Sequence, residues 1–126
     1  MSWQDDLNDA RLEKGSGWYG CIAPDGWKDI VLQTNEMLSH IDPDYKILQI
    51  KEKFGSLRYY YGSAIENPTE QRIMSAIEGW AESKSSHTCQ DCGKYGGIRT
   101  QFHWILTLCD TCATARGYDL NWEETE

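Results

Sequence analysis

"CQDCGKYGGIRTQFHWILTLCDTC", residues 89–112, begins and ends with a Cys-x-x-Cys pair. Two such pairs at this separation are typical of a four-cysteine zinc site, because each tight turn delivers two thiolates to a tetrahedral ion. Gly93 suits the first turn, since glycine adopts a positive φ without steric cost. The predicted ligands of one structural Zn²⁺ are Cys89, Cys92, Cys109 and Cys112.

Other readings of these thiols are weaker. A redox dithiol needs only one Cys-x-x-Cys pair, and four cysteines leave neither a role for His87 or His103 nor an open position for catalytic water. The fifth cysteine, Cys21, has apolar and aromatic neighbours in sequence, which favours buried packing. Residues 98–108 are expected to form strands between the two turns, with Trp104 and Leu108 contacting the rest of the core.

A second informative stretch, KEKFGSLRYYY at residues 51–61, reads as a β-hairpin. Gly55-Ser56 fits a type II′ turn, and Lys53 then lies opposite Arg58. The predicted apolar face consists of Leu48, Ile50, Phe54, Leu57, Tyr59 and Tyr61. The predicted outer face consists of Gln49, Lys51, Lys53, Arg58 and Tyr60.

Like charges directly opposed across strands are unfavourable unless something negative lies between them. Acidic neighbours such as Glu52, Asp42, Asp44 or the C-terminal tail could supply that charge. A phosphate or an acidic partner could supply it equally well. In the second case the predicted ligand-binding residues are Lys51, Lys53, Arg58 and Tyr60, supported by Tyr19 and Trp18.

Two amphipathic helices flank the hairpin. Residues 27–41 carry apolar side chains at helical spacing, with Asp25 as a possible N-cap. Asn67 and Pro68 mark the start of a second helix, whose predicted apolar stripe is Ile73, Ala76, Ile77 and Trp80.

The predicted fold class is α+β: a small antiparallel sheet with two helices and a zinc-ribbon-like module. We expect one domain, residues 1–126, comprising an α+β core (17–86), an integrated zinc-binding module (87–117) and an acidic tail (118–126).

Composition limits the possible functions. The formal net charge is -8 over 126 residues, which disfavours wholesale binding of duplex DNA. No long apolar run or signal-like N-terminus occurs, so an intracellular protein is expected. Residues 15–20 match G-x-G-x-x-G only literally, since no strand precedes them and no helix follows. Nothing assembles a nucleophile, a base and an orienting group, so we expect no enzyme.

The order of these motifs resembles a family of small, largely uncharacterised proteins encoded by bacteriophages and prophages. The shared pattern is G-W, then K-E-K-F-G-x-L-R-x-Y, then C-x-x-C-G-x-x-G and W-x-x-T-L-C-x-x-C, over roughly residues 17–113. The matching positions are Gly26, Trp27, residues 51–55, Leu57, Arg58, Tyr60, Cys89, Cys92, Gly93, Gly96, Trp104, Thr107, Leu108, Cys109 and Cys112.

The resemblance implies a setting in the cytoplasm of a bacterial host and a non-enzymatic protein that antagonises a host process, such as defence. By analogy with other small phage proteins, it would bind a host protein or an anionic ligand such as a signalling nucleotide. The alternative is a nucleic-acid-binding or transcription-linked zinc-ribbon accessory protein, which would bind oligonucleotides with steep salt dependence.

Overall fold

The structure is a computed structural model that describes residues 2–13, 20–100 and 104–118. Its elements in chain order are α1 (Trp3–Arg11), β1 (Gly20–Cys21), a 3₁₀ turn (Asp25–Trp27), α2 (Lys28–Ile41), β2 (Lys46–Lys53), β3 (Ser56–Gly62), α3 (Pro68–Ser85), β4 (Gly97–Arg99), β5 (Leu106–Leu108) and α4 (Asp110–Ala115). The α+β class is confirmed, and α1 and α4 are helices that the sequence analysis missed.

The main sheet has the strand order β1-β2-β3. The short strand β1 pairs in parallel with β2, and β2 pairs antiparallel with β3 as the predicted hairpin. A second sheet contains β4 and β5, which pair antiparallel between the two cysteine turns. None of the helices in the described part of the chain has the length and apolar character needed to span a bilayer.

The predicted hairpin turn is wrong by one residue. Lys53 pairs with Ser56, so the central residues are Phe54 and Gly55, whose φ angles of 55° and 83° fit a type I′ turn. The turn is fixed by its contacts: Thr107 Oγ1 donates to Gly55 O at 2.5 Å, and Gly55 N donates to Glu52 Oε2 at 2.7 Å.

Correcting the turn shifts each strand partner by two positions, so the two faces keep most of their predicted residues. Lys51, and not Lys53, lies opposite Arg58. Ile50, Leu57 and Tyr59 are buried as predicted. Phe54 leaves the apolar face and is 64% exposed at the tip of the turn.

The helix at residues 27–41 is confirmed as α2, with Trp27, Ile30, Val31 and Leu38 buried. Asp25 does not cap it. Its carboxylate instead accepts from Trp3 Nε1 at 2.9 Å, which ties α1 to the start of α2.

The start of α3 is confirmed, since Glu70 N donates to Asn67 Oδ1 at 3.0 Å and Pro68 is the first helical residue. The predicted apolar stripe is displaced. The helix buries Met74 and Ala81, whereas Ile73 and Trp80 are 47% and 37% exposed. Since α3 packs against both α2 and β3, its buried face is set by two neighbours that periodicity alone does not reveal.

Among the described residues, three hydrogen bonds between positions far apart in sequence join the α+β core to the cysteine-bearing segment. Gly26 N donates to Gln90 O at 2.9 Å, and Trp27 Nε1 donates to Thr88 O at 2.8 Å. The third is the bond from Thr107 to Gly55. Trp104, predicted to contact the core, is 74% exposed, and Leu108 packs in a separate apolar cluster around the cysteines. Polar and backbone contacts therefore make the junction.

Candidate metal centre

The first cysteine turn follows directly after α3. Cys89 N donates to Lys94 O at 2.7 Å, and Gly93 N donates to Cys89 O at 2.9 Å. Gly93 has a φ of 85°, as its position after the second ligand predicts. These bonds close a tight loop that points the Cys89 and Cys92 thiols to the same side.

The second cysteine turn is made where β5 ends and α4 begins. Cys109 is the N-cap of α4, and the backbone N of Cys112 donates to Cys109 Sγ at 3.4 Å. The short helix therefore presents Cys112 one turn after Cys109, on the side that faces the first loop.

The four thiols meet at one point. Their Sγ atoms all lie within 4.8 Å of one another, and Cys92 Sγ and Cys109 Sγ are 3.6 Å apart. A tetrahedral Zn²⁺ with Zn–S bonds of about 2.3 Å separates its sulfur ligands by roughly 3.8 Å, so the donor set and its size fit this ion. The cluster could hold a metal ion, as the sequence predicts.

The surroundings favour ionisation of Cys109 but oppose it at two other thiols of the cluster. Burial and the neighbouring thiols raise the pKa of Cys112. At Cys92 the backbone hydrogen bond with Lys94 lowers the pKa, but burial and the neighbouring thiols outweigh it and raise the pKa. Burial opposes ionisation of Cys109, but hydrogen bonds from the Cys112 backbone N–H and from neighbouring thiols outweigh it and lower the pKa of Cys109 to about 7.

Arg99 is fully buried nearby, and its guanidinium donates to Leu108 O and to Asp110 Oδ1, both at 2.9 Å. This guanidinium links β4 to the end of β5 and to the first residue of α4, on either side of Cys109.

The remaining candidate ligands lie elsewhere. Cys21 is buried in the α+β core, and burial raises the pKa of its thiol to about 11, so it stays protonated at neutral pH. His87 is exposed and stacks on Tyr95, with ring centroids 6.3 Å apart. His103 lies outside the described residues.

The predicted ligand-binding residues on the hairpin share one face. Lys51 lies opposite Arg58, and Gln49 lies opposite Tyr60. Arg58 Nη1 lies 3.2 Å from Glu82 Oε1 on α3, so this carboxylate supplies part of the negative charge that the opposed cations require.

Two of the acidic neighbours that the sequence suggested as sources of this charge have other partners. Glu52 accepts a hydrogen bond from Gly55 N, and Asp42 accepts one from Ser63 Oγ. Trp18 and Tyr19 lie outside the described residues.

Comparison of this chain with models of protein families, with curated proteins and with solved structures finds no match.

The structure also brings together residues that the sequence analysis did not combine. Trp80 and Lys84 on α3 lie beside the His87–Tyr95 pair, at the edge of a cavity. The only available signal was Trp80 itself, and the helical stripe had assigned it to the core.

Proposed function

We propose that this protein is a non-enzymatic, zinc-stabilised binding protein whose hairpin contacts an acidic surface of a partner protein. The observation that carries the proposal is the shared outer face of the hairpin, where Lys51, Lys53 and Arg58 gather beside Tyr60 in a chain of net charge -8. The four-cysteine cluster supports the metal part of the proposal, since four protein thiolates close a structural zinc site.

The charges on this face are unequal. Glu82 partly neutralises Arg58, whereas Lys51 and Lys53 have no ion pair among residues 2–13, 20–100 and 104–118. The Lys53 ammonium lies 5.7 Å from the centroid of the exposed Phe54 ring. A protein partner therefore meets two lysines, whose charge is complementary to an acidic surface, next to the rings of Phe54 and Tyr60. Aromatic residues are enriched at protein interfaces.

A macromolecular partner suits the shape of this face. Side chains on neighbouring strands stand side by side on a pleated surface and do not enclose a small ligand. Because the chain resembles phage-encoded proteins, we propose that the partner belongs to the bacterial host and that binding blocks a host process such as defence. Electrostatic attraction would speed the encounter with an acidic surface.

The test is quantitative affinity capture from bacterial lysate with the zinc-loaded protein as bait. The double variant Lys51→Ala/Lys53→Ala removes the two unpaired cations, and Lys28→Ala/Arg72→Ala is the control with the same charge change on exposed helical positions. We expect a partner that the control retains, that the hairpin variant loses and that added salt releases. Equal capture by both variants would refute the hairpin as the binding face.

A further inference from the structure

A groove lies where α2, α3 and the first cysteine turn meet. It consists of two cavities of about 380 and about 330 Å³, which share Lys84, His87, Thr88 and Tyr95 in their walls. Pockets for small ligands in proteins usually have volumes of about 300–1,000 Å³. The combined groove therefore has the size that a mononucleotide needs.

Aromatic rings form one side of the groove. The His87 and Tyr95 rings stack at an interplanar angle of 23°, and Tyr95 is 70% exposed. Two backbone features position the pair: Gly96 N donates to His87 O at 3.0 Å, and Thr88 bridges to Tyr95 across the turn. With the half-exposed Trp80 nearby, these rings offer π faces on which a planar base can stack.

Polar side chains of both signs also line the groove. Asp29 and Gln33 are one turn apart on α2 and lie on the same face of the helix, and Lys84 projects from α3. In the described part of the chain, the side chains of these three residues make no hydrogen bond or ion pair with the protein. Their donors and acceptors are available to a ligand.

We propose that this groove binds a purine nucleotide and that guanine is the preferred base. Guanine presents two adjacent N–H donors, N1–H and the N2 amino group, and one carboxylate accepts both. Adenine has an acceptor at N1 and lacks this pair. Asp29 is the carboxylate that reads the base, the Tyr95–His87 pair stacks on it, and Lys84 contacts the phosphate. This site is separate from the hairpin and is independent of the proposed protein partner.

The groove also depends on the cysteine turn. Gly93 and Tyr95 belong to the loop that Cys89 and Cys92 close, and Gly26, on the facing side, donates to Gln90 O in the same loop. Metal bound by the thiols therefore holds the wall that carries the stacking ring. Nucleotide binding is expected to disappear when the metal is removed and to return when Zn²⁺ is restored.

The experiment is isothermal titration calorimetry of the zinc-loaded full chain with GMP, AMP, guanosine and inorganic phosphate. We expect GMP to bind, AMP to bind at least about tenfold more weakly, and phosphate alone to give no detectable heat. Guanosine should bind more weakly than GMP because it lacks the group that Lys84 contacts.

Single substitutions assign the roles. Asp29→Asn should bring GMP and AMP to similar affinities, and Lys84→Met should weaken GMP while leaving guanosine unchanged. The controls are Asp44→Asn and Arg72→Met, which alter exposed residues outside the groove. Thermal unfolding of every variant confirms that each has folded.

If GMP gave no detectable binding up to about millimolar concentration, the proposal would be overturned. Equal affinities for GMP and AMP in the unaltered chain, or GMP binding unchanged by both groove substitutions, would overturn it as well. The hairpin variant Lys51→Ala/Lys53→Ala should bind GMP normally. Failure of the hairpin proposal and failure of the groove proposal are thereby distinguished.

Discussion

The α+β core and the cysteine module are stabilised in different ways. The α+β core is formed by apolar side chains from α1, α2, α3 and the main sheet. They include large buried residues such as Trp27, Tyr45 and Tyr59. The cluster in the module is small, and two of its buried members, Cys89 and Cys109, are themselves candidate ligands. A module this small buries too little apolar surface to fold by packing alone, so we expect it to require a metal and the core to fold without one.

The largest expected effect tests this difference directly. Removing the metal with a strong chelator should unfold the module, since a structural Zn²⁺ contributes on the order of 10 kcal/mol. In ¹H–¹⁵N NMR spectra, amide signals from residues 88–118 should lose dispersion while those of Ile50 and Tyr59 keep it. Metal analysis should give one ion per chain.

The matched substitutions for the metal experiment are Cys109→Ser and Cys21→Ala. The first removes a candidate ligand and should abolish stoichiometric metal binding. The second alters the buried thiol of the core and should leave metal content unchanged. If chelation removed the dispersion of all amide signals, the core would depend on the metal too. The proposed difference between the core and the module would then be refuted.

A second, smaller effect concerns the junction between the two regions. A Cβ at residue 26 would lie 2.2 Å from Cys89 O and 2.4 Å from the carbonyl carbon of Gln90, and backbone atoms at this contact have little freedom to move. Gly26→Ala should therefore lower the free energy of unfolding by at least about 2 kcal/mol, measured by urea denaturation.

The control for the junction is Gly79→Ala in α3, where a Cβ meets nothing within 4 Å. That change should stabilise the protein by up to about 1 kcal/mol, because alanine favours a helix interior more than glycine does. Similar effects of the two substitutions would show that the close contact at Gly26 is unimportant.

The hydrogen bond from Thr107 Oγ1 to Gly55 O joins the regions at the hairpin turn. Both groups are buried, so Thr107→Val leaves the carbonyl without its donor and should cost about 1–3 kcal/mol in the same denaturation experiment. Thr114→Val, at an exposed position of α4, is the control and should change stability by less than about 0.5 kcal/mol. If Thr107→Val left the free energy of unfolding unchanged, this hydrogen bond would not be what fixes the turn.

The last and smallest expected effect is, as for Gly79→Ala, a gain in stability. Phe54 has a φ of 55° and an exposed ring, so Phe54→Asn relieves strain in the turn at little loss of packing. Since Asn-Gly favours type I′ turns, we expect a gain of up to about 1 kcal/mol. A loss of stability would favour the Gly55-Ser56 turn that the sequence suggested.

Local signals in the chain predicted those features that local physics controls. The Cys-x-x-Cys spacing indicated the metal cluster because its geometry is built into two short turns. The Asn67-Pro68 start of α3 was correct because helix capping involves only neighbouring residues. The outer face of the hairpin also survived, since alternation along a strand is unaffected by a two-residue shift in register.

Features that depend on contacts between distant segments were predicted wrongly or missed. The turn at Phe54-Gly55 depends on Thr107, which is 52 residues away in sequence. The buried face of α3 depends on α2 and β3 together, and this arrangement leaves Trp80 at the groove. Sequence alone therefore determined the fold class, the four-cysteine cluster and the basic face. Only the tertiary structure decided the register, the junction at Gly26 and the groove, because each arises from surfaces that meet only after folding.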